Sequence, residues 1–383
     1  MIRGGVVLAE RAQDRLMIPA SLMKLATTTA AVVRFGPGHR FLTRIERRGG
    51  TASVPQTLYF IGGGDPTLAT EYYRRNRFLP EADDRDGIPA FPSGSPTVEQ
   101  VAGRIARAGI DRIAGDLVLD ESRFDRDRYP DGWPSRYWGY DAESAYASAL
   151  IVNEGRTGPE RHYIVDNVAM QAGQELRKAL RARGITIGGS LRIGTTPESA
   201  SGVTTIASPP VSEIVDFINR YSANYQAEIL FKSLGAAFGT EGSYAASEVV
   251  VRQVLDELGV PREGFNQEGG SGLSRDDRVS VRTLARLLYA ILTRPDLAAV
   301  RSSIPVAGRT GTLMERLDRP PTEGNLRGKT GYLSGVRGLA GWVTGPDGTP
   351  TVYAALYNNA ANALALSTPL DVFALAAAFH PRA

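Results

Sequence analysis

The chain has 383 residues, 42% hydrophobic and 22% charged, more than the ~250–300 at which a single core usually stops growing, so two domains are expected. It contains no Cys and only His39, His162 and His380, which removes thiolate chemistry and disulfides and leaves little from which to build a histidine metal site or a Ser-His-Asp triad. The net charge of +3 comes from scattered basic residues, so no nucleic-acid partner is expected, and no apolar run reaches the ~20 residues of a membrane span.

Gly5-Val6-Val7-Leu8 reads as part of a strand with no charged-then-apolar leader before it, which leaves either a cytoplasmic protein or a mature form without its export signal. Pro19 then precedes Leu22, Leu25, Ala26, Ala30 and Val33 at three-to-four spacing, closed by Gly36-Pro37-Gly38, the pattern of an amphipathic helix with a clear stop. Short strand-like runs follow, Thr57 to Ile61 and Leu117 to Leu119, separated by Gly, Pro and Asp clusters. Glu81 to Pro96 reads as an exposed loop, and helices over about 97–108 and 167–183 complete a small mixed domain. From Pro209 the helical period returns through Ile214, Phe217 and Ile218, breaks at Ser222-Ala223-Asn224, and resumes with Ile229, Leu230 and Leu234. Helices continue over Val249 to Leu258 and Val281 to Leu292. The apolar runs Gly338 to Thr344 and Thr351 to Tyr357, joined by Gly345-Pro346-Asp347-Gly348, predict a hairpin, and Pro369 to Phe379 a helix covering one face of it. There is no internal repeat.

Ser21 and Lys24 stand three residues apart at the start of the first helix, hence on one face. A hydroxyl needs a base to be a nucleophile at neutral pH, and a desolvated Lys can serve. The same spacing also fits a surface Lys one turn after a helix-capping Ser. Two further groups weigh against that bland reading. Ser222 and Asn224 occupy a break between helices, where hydroxyl and carboxamide can project into a cleft. Lys329-Thr330-Gly331 precedes a strand and offers a positive charge, a carboxylate-binding hydroxyl and an open edge for a peptide backbone. Arg309-Thr310-Gly311-Thr312 imitates this third group but runs into a helix-like segment, so the edge-strand role fits Lys329 better.

Ser-x-x-Lys, Ser-x-Asn and Lys-Thr-Gly in this order form the signature of penicillin-binding proteins and serine β-lactamases. The chain resembles the class C low-molecular-mass penicillin-binding proteins, the D-alanyl-D-alanine carboxypeptidase and endopeptidase family. The further likeness lies in IPAS at 18–21, GGGDPTL at 62–68, GDLVLDESRFD at 115–125, GSGLSR at 270–275, IPVAGRTGTL at 304–313 and GKTGYLSGVRGLAGWV at 328–343. The resemblance implies an α/β fold: a transpeptidase-like domain, an antiparallel sheet flanked by helices, formed by residues 1–47 and 204–383. A smaller mixed α/β domain, 48–203, is inserted between the first two motifs, where 197 residues separate Lys24 from Ser222. The chain departs from the family in Ala223 and Gly269, where Asp is usual, in Tyr332 for Thr or Ser, and in an apparently missing third domain after Ser148 to Asn153.

By the same resemblance Lys24 takes the Ser21 proton, Ser21 attacks the penultimate D-Ala carbonyl, and the N–H groups of Ser21 and Tyr332 hold the oxyanion. Ser222 relays a proton to the leaving amine beside the charge of Lys329, Asn224 holds the substrate amide and Lys24, and Thr330 binds the terminal carboxylate along the open edge at Gly331. Arg275 matches a position that binds the carboxylate of a diaminopimelate-type side chain. Asp141 either pairs with its amine or is a solvated loop residue. The expected partners are peptidoglycan stem peptides, with β-lactams as inhibitors, no metal or organic cofactor, and an extracytoplasmic location. The alternatives are a β-lactamase, for which no water-activating acid is legible beside Ser21, and a catalytically silent wall-binding protein on the same fold.

Overall fold

The computed structural model describes residues 1–77, 91–137, 143–159, 164–359 and 367–379. Strands β1 (Ile2–Arg3) and β2 (Val6–Val7) open the chain, and a 3-10 turn, Ala20–Met23, runs into helix α1 (Lys24–Phe35). Gly36 ends that helix at φ 81°, a backbone conformation that glycine adopts without strain.

The next stretch builds one sheet and the helices that cover it. It contains β3 (Leu42–Gly50), β4 (Pro55–Ile61), α2 (Glu71–Asn76), α3 (Val98–Arg107), β5 (Arg112–Ile113), β6 (Leu117–Asp120), α4 (Val168–Arg181), β7 (Thr186–Ile187), β8 (Leu191–Ile193) and β9 (Ser201–Ala207). The five-stranded sheet runs β8-β6-β4-β3-β9, parallel from β8 to β4 and antiparallel around β3. Ile45, Leu58, Phe60, Leu117 and Leu119 bury one face against Val101 and Ile105 of α3 and Leu176 and Leu180 of α4. A capping box, Thr97 with Gln100, starts α3 and satisfies backbone N–H groups that would otherwise lack partners.

Helices α5 (Val211–Tyr221), α6 (Asn224–Phe238), α7 (Tyr244–Glu257), α8 (Val281–Thr293) and α9 (Ala298–Ser303) follow, then β10 (Arg327–Leu333), β11 (Val336–Thr344), β12 (Pro350–Tyr357) and α10 (Ser367–Phe379). The second sheet, β10-β11-β12-β1-β2, is antiparallel throughout, so the first strands of the chain extend the last hairpin and β10 is an edge. Its residues alternate between two cores. Ala340, Trp342 and Val352 face the cluster built on α1, α5 and α8, while Leu339, Val343 and Tyr353 face Leu370, Ala374 and Ala377 of α10. The expected α/β architecture, the hairpin and its covering helix are all present. Among the described residues no helix is long and apolar enough to cross a membrane.

Two details depart from the sequence expectation or go beyond it. Ser21 lies in a 3-10 turn and not in the α-helix itself, because Ala20 takes φ 51° and bends the chain just before it. Strand β3 carries Arg44, Glu46, Arg47 and Arg48 and lacks an apolar alternation, since its pairing on both sides with β4 and β9 fixes it. That pairing places the positions 47/48 and 203/204 inside two strands of one sheet. Of the expected 81–96 loop, only 91–96 fall among the described residues.

Asp65, in the GGGDPTL run, is 2% exposed; Oδ1 accepts from the N–H and hydroxyl of Thr67, while Oδ2 has no hydrogen-bond partner among the described residues. Burial pushes its carboxyl up to about 6, against the Thr67 bonds that lower it. The folded-state value lies above the unfolded one, so stability is fully present below about pH 4 and is lost as pH rises towards 6. Urea unfolding across that window should show wild type losing on the order of 3 kcal/mol relative to Asp65→Asn. A constant difference between the two proteins would contradict this.

Candidate active site

The turn carrying Ser21 is enclosed by backbone. A Cβ at Gly272 would stand 2.0 Å from the Ala20 carbonyl oxygen, and one at Gly331 would stand 2.7 Å from that of Pro19. Glycine at these two positions lets the 270–272 turn and the edge strand β10 approach the Ser21 turn from two sides. The role expected for Gly331, an open edge, therefore comes with a second one, close approach.

Lys24 is fully buried, and its Nζ lies 2.8 Å from Ser21 Oγ, 2.7 Å from Asn224 Oδ1 and 2.7 Å from the Ser271 carbonyl oxygen. These three partners carry no formal charge, and they give the buried Nζ hydrogen-bond partners on three sides. Ser222 ends α5 in the left-handed conformation, φ 55° and ψ 35°, and Asn224 starts α6 after one extended residue. Residues two apart thereby serve different lysines. Asn224 accepts from Lys24, and Ser222 Oγ accepts from Lys329 Nζ at 2.8 Å. Asn224 Nδ2 also donates to the Glu143 carbonyl at 3.3 Å.

Lys329 is fully buried on β10 and donates in addition to the Thr330 carbonyl at 3.1 Å. Thr330 Oγ1 donates to Thr312 Oγ1 at 3.0 Å. The Arg309–Thr312 imitation of the third motif thus supports the motif itself, from a 3-10 turn (Gly311–Leu313) and not from a strand. Sequence reasoning missed Thr312 and Ser271, although both lie in runs, IPVAGRTGTL and GSGLSR, that carry the resemblance.

The remaining expected residues lie at the far end of β10. The Tyr332 side chain is 61% exposed and stacks under the Arg337 guanidinium, 3.4 Å from its ring centroid. Arg337 is held by the Leu333 and Val336 carbonyls. Arg275 places both terminal nitrogens on the Ser334 carbonyl, at 3.2 and 3.0 Å, in the β10–β11 turn. The geometry therefore joins Ser21, Lys24 and Asn224 in one group and Ser222 with Lys329 in a second, with Arg275 and Tyr332 flanking the same strand. Asp141 lies outside the described residues.

An antiparallel sheet with a half-buried Ser and a buried Lys paired under its edge strand, and a Ser-x-Asn break facing both lysines, defines the class of penicillin-recognising serine D,D-peptidases. Residues 2–163 and 160–377 match the D-Ala-D-Ala carboxypeptidase 3 (S13) family, and the chain belongs to it. It is 28% identical over 426 aligned positions to a D-alanyl-D-alanine carboxypeptidase of an Actinomadura species, covering 90% of this chain and 74% of the relative. It is 29% identical over 375 positions to a carboxypeptidase, DacB, of Mycolicibacterium smegmatis, covering 93% and 74%. The fold is similar to penicillin-binding protein 4 of Haemophilus influenzae, with TM-score 0.78, 20% identity and coverage of 93% of this chain and 88% of that one. It is also similar to a predatory peptidoglycan endopeptidase of Bdellovibrio bacteriovorus, with TM-score 0.57, 16% identity and coverage of 98% and 90%.

Gly331→Ala tests the close approach of β10. The added methyl pushes the strand off the Pro19 carbonyl, and a displacement of this kind in an assembled site can cost ~10²-fold in rate. D-alanine release from a D-Ala-D-Ala peptide should fall to that extent while the protein stays folded. An unchanged rate would show that the strand's distance from the turn does not set the activity.

Proposed function

We propose that this chain hydrolyses the D-Ala-D-Ala termini or cross-links of peptidoglycan stem peptides through an acyl-Ser21 intermediate. The observation that carries the reading is the buried Lys24 amine within hydrogen-bond distance of the Ser21 hydroxyl. Lys24 takes the Ser21 proton as Oγ bonds to the carbonyl carbon of the penultimate D-Ala, and the N–H groups of Ser21 and Tyr332 stabilise the oxyanion. The C–N bond then breaks as the proton taken by Lys24 reaches the departing amine by way of the Ser222 hydroxyl, beside Lys329, and water adds to the ester carbonyl, its proton passing through Lys24 to Ser21 Oγ as the acid leaves. Asn224 aligns the substrate amide, and Thr330, braced by Thr312, takes the terminal carboxylate. On this reading the enzyme works outside the cytoplasm, where its wall substrate is, with residues 48–203 as an inserted accessory domain whose sheet takes in β3 and β9 across both boundaries.

One buried carboxylate that interacts electrostatically with Lys24, Glu228, has its two oxygens occupied by the N–H groups of Ser271 and Gly270. It is not presented to a water at the acyl-ester. This supports a peptidase whose penicilloyl-ester is long-lived over a β-lactamase.

Incubation with labelled penicillin and peptide mapping tests the core of the proposal. The label should sit on Ser21, and both Ser21→Ala and Lys24→Ala should lose labelling and D-alanine release while remaining folded. Label at another serine, or β-lactam turnover as fast as peptide cleavage, would overturn it.

Arg275 presents its guanidinium at the end of β10, where a fork of donors can meet the carboxylate of a diaminopimelate-type side chain. Loss of one partner of such a pair costs ~2–5 kcal/mol where it is enclosed. Arg275→Ala should therefore lower kcat/KM for the diaminopimelate-type peptide much more than for an acyl-Lys-D-Ala-D-Ala peptide, with penicillin acylation nearly unchanged. An equal loss on all three would assign Arg275 to the fold, through its bonds to Ser334.

A further inference from the structure

Behind Lys24 lies a carboxylate that the mechanism does not use. Glu228 follows Asn224 by one turn of α6, is 1% exposed, and accepts the N–H of Ser271 on Oε1 and that of Gly270 on Oε2, each at 2.9 Å. The turn it grips is tied to α1 as well. Thr27 Oγ1 donates to the Gly270 carbonyl at 2.8 Å, and Lys24 Nζ donates to the Ser271 carbonyl at 2.7 Å. Gln267 Nε2 bonds Thr27 Oγ1 at 2.7 Å and the Gly269 carbonyl at 3.0 Å. Glycine at 269 leaves room for this arrangement: a Cβ there would come within 2.9 and 3.0 Å of the Glu228 carboxylate oxygens and 2.7 Å of Pro130, so those side chains would have to shift.

A neutral lysine amine has two N–H bonds and one lone pair. With one N–H on Asn224 Oδ1 and the other on the Ser271 carbonyl, the lone pair is left facing Ser21 Oγ. The first acceptor comes directly from α6, and the second is held by Glu228 one turn further along the same helix. We propose that Glu228 is a positioning residue for the Ser21–Lys24 pair: it fixes the 270–271 turn so that the Ser271 carbonyl orients the Lys24 lone pair towards the Ser21 proton. This rests on Lys24 being the base.

Lys24 on α1, Tyr244 on α7 and Asp277 in the loop before α8 all share its electrostatic surroundings. Burial raises Glu228 above the usual carboxylate range, against the Ser271 hydroxyl, the two N–H donors and Lys24, which pull it down. Asp277 is pushed well above the usual range by burial, with Glu228 and Glu268 adding to the rise. Glu228, with two donors and a neighbouring amine, is the acid of the two suited to carry the negative charge.

Labelling of wild-type Ser21 by penicillin comes first, so that failure of the base reading is seen separately. Glu228→Gln keeps the shape but turns one accepted N–H into a donor facing a donor. D-alanine release and penicillin acylation should each fall ~10- to 100-fold with KM for the peptide unchanged, because the residue does not touch the cleft. The acid limb of the kcat/KM profile should also move to lower pH, since a negative charge near Lys24 is gone. A purely structural role would lower Tm and leave that profile in place. Gly269→Ala retains Glu228 but crowds its carboxylate, and should reduce the rate in the same direction. A folded Glu228→Gln with wild-type rate and pH profile overturns the proposal. If that variant does not fold, a wild-type rate in Gly269→Ala does so.

Discussion

The constraint on which the site depends is the burial of Lys24. An amine removed from water needs partners for its hydrogens, and a bare ammonium in the interior would be prohibitively costly. Side-chain and backbone partners from three separate parts of the chain meet at its Nζ: Ser21 from the turn before α1, Asn224 from the start of α6, and the Ser271 carbonyl from the 270–272 turn. Satisfying the lysine and assembling the nucleophile are one operation. Displacing any of these segments leaves a buried amine short of a partner and also moves the groups that would activate Ser21.

A second constraint is clearance. Three backbone segments approach one another around Ser21 at distances that leave no room for a Cβ, at Gly272 against Ala20 and at Gly331 against Pro19. Gly311 does the same against the Arg220 carbonyl, 2.2 Å from where its Cβ would lie, and so seats the turn that delivers Thr312 to Thr330. These contacts fix the edge strand β10 against the helices α1 and α5. They also bring residues far apart in sequence, Lys24 with Asn224 and Ser222 with Lys329, into hydrogen-bond contact.

The edge strand has a polar end and an aromatic one. Lys329 and Thr330 project their polar groups to Ser222 and Thr312, while Tyr332 lies exposed on the guanidinium of the buried Arg337. A tyrosine stacked on a fixed cation presents a rigid surface where a smaller hydroxyl residue is usual in the family, and Arg275 approaches the same strand end through Ser334.

The three motifs, their order, the amphipathic helix after Pro19, the break at Ser222 to Asn224 and the terminal hairpin were all legible in the sequence. Each depends on short-range chemistry: spacing on one helix face, a stop signal, alternation in a strand. The family followed from the same residues. What the sequence could not supply were relations made by long-range pairing. β3 is a strand because β4 and β9 flank it, although its own charges argue otherwise. Gly269 looked like a lost acid, and in the fold it is the space that the Glu228 carboxylate occupies. Thr312 belonged to an apparent decoy until the 3-10 turn set it against Thr330. A residue's type can be read from its neighbours in the chain, but its partner across 40 or 200 positions is decided only when the backbones close, because that choice depends on clearances of a few tenths of an ångström.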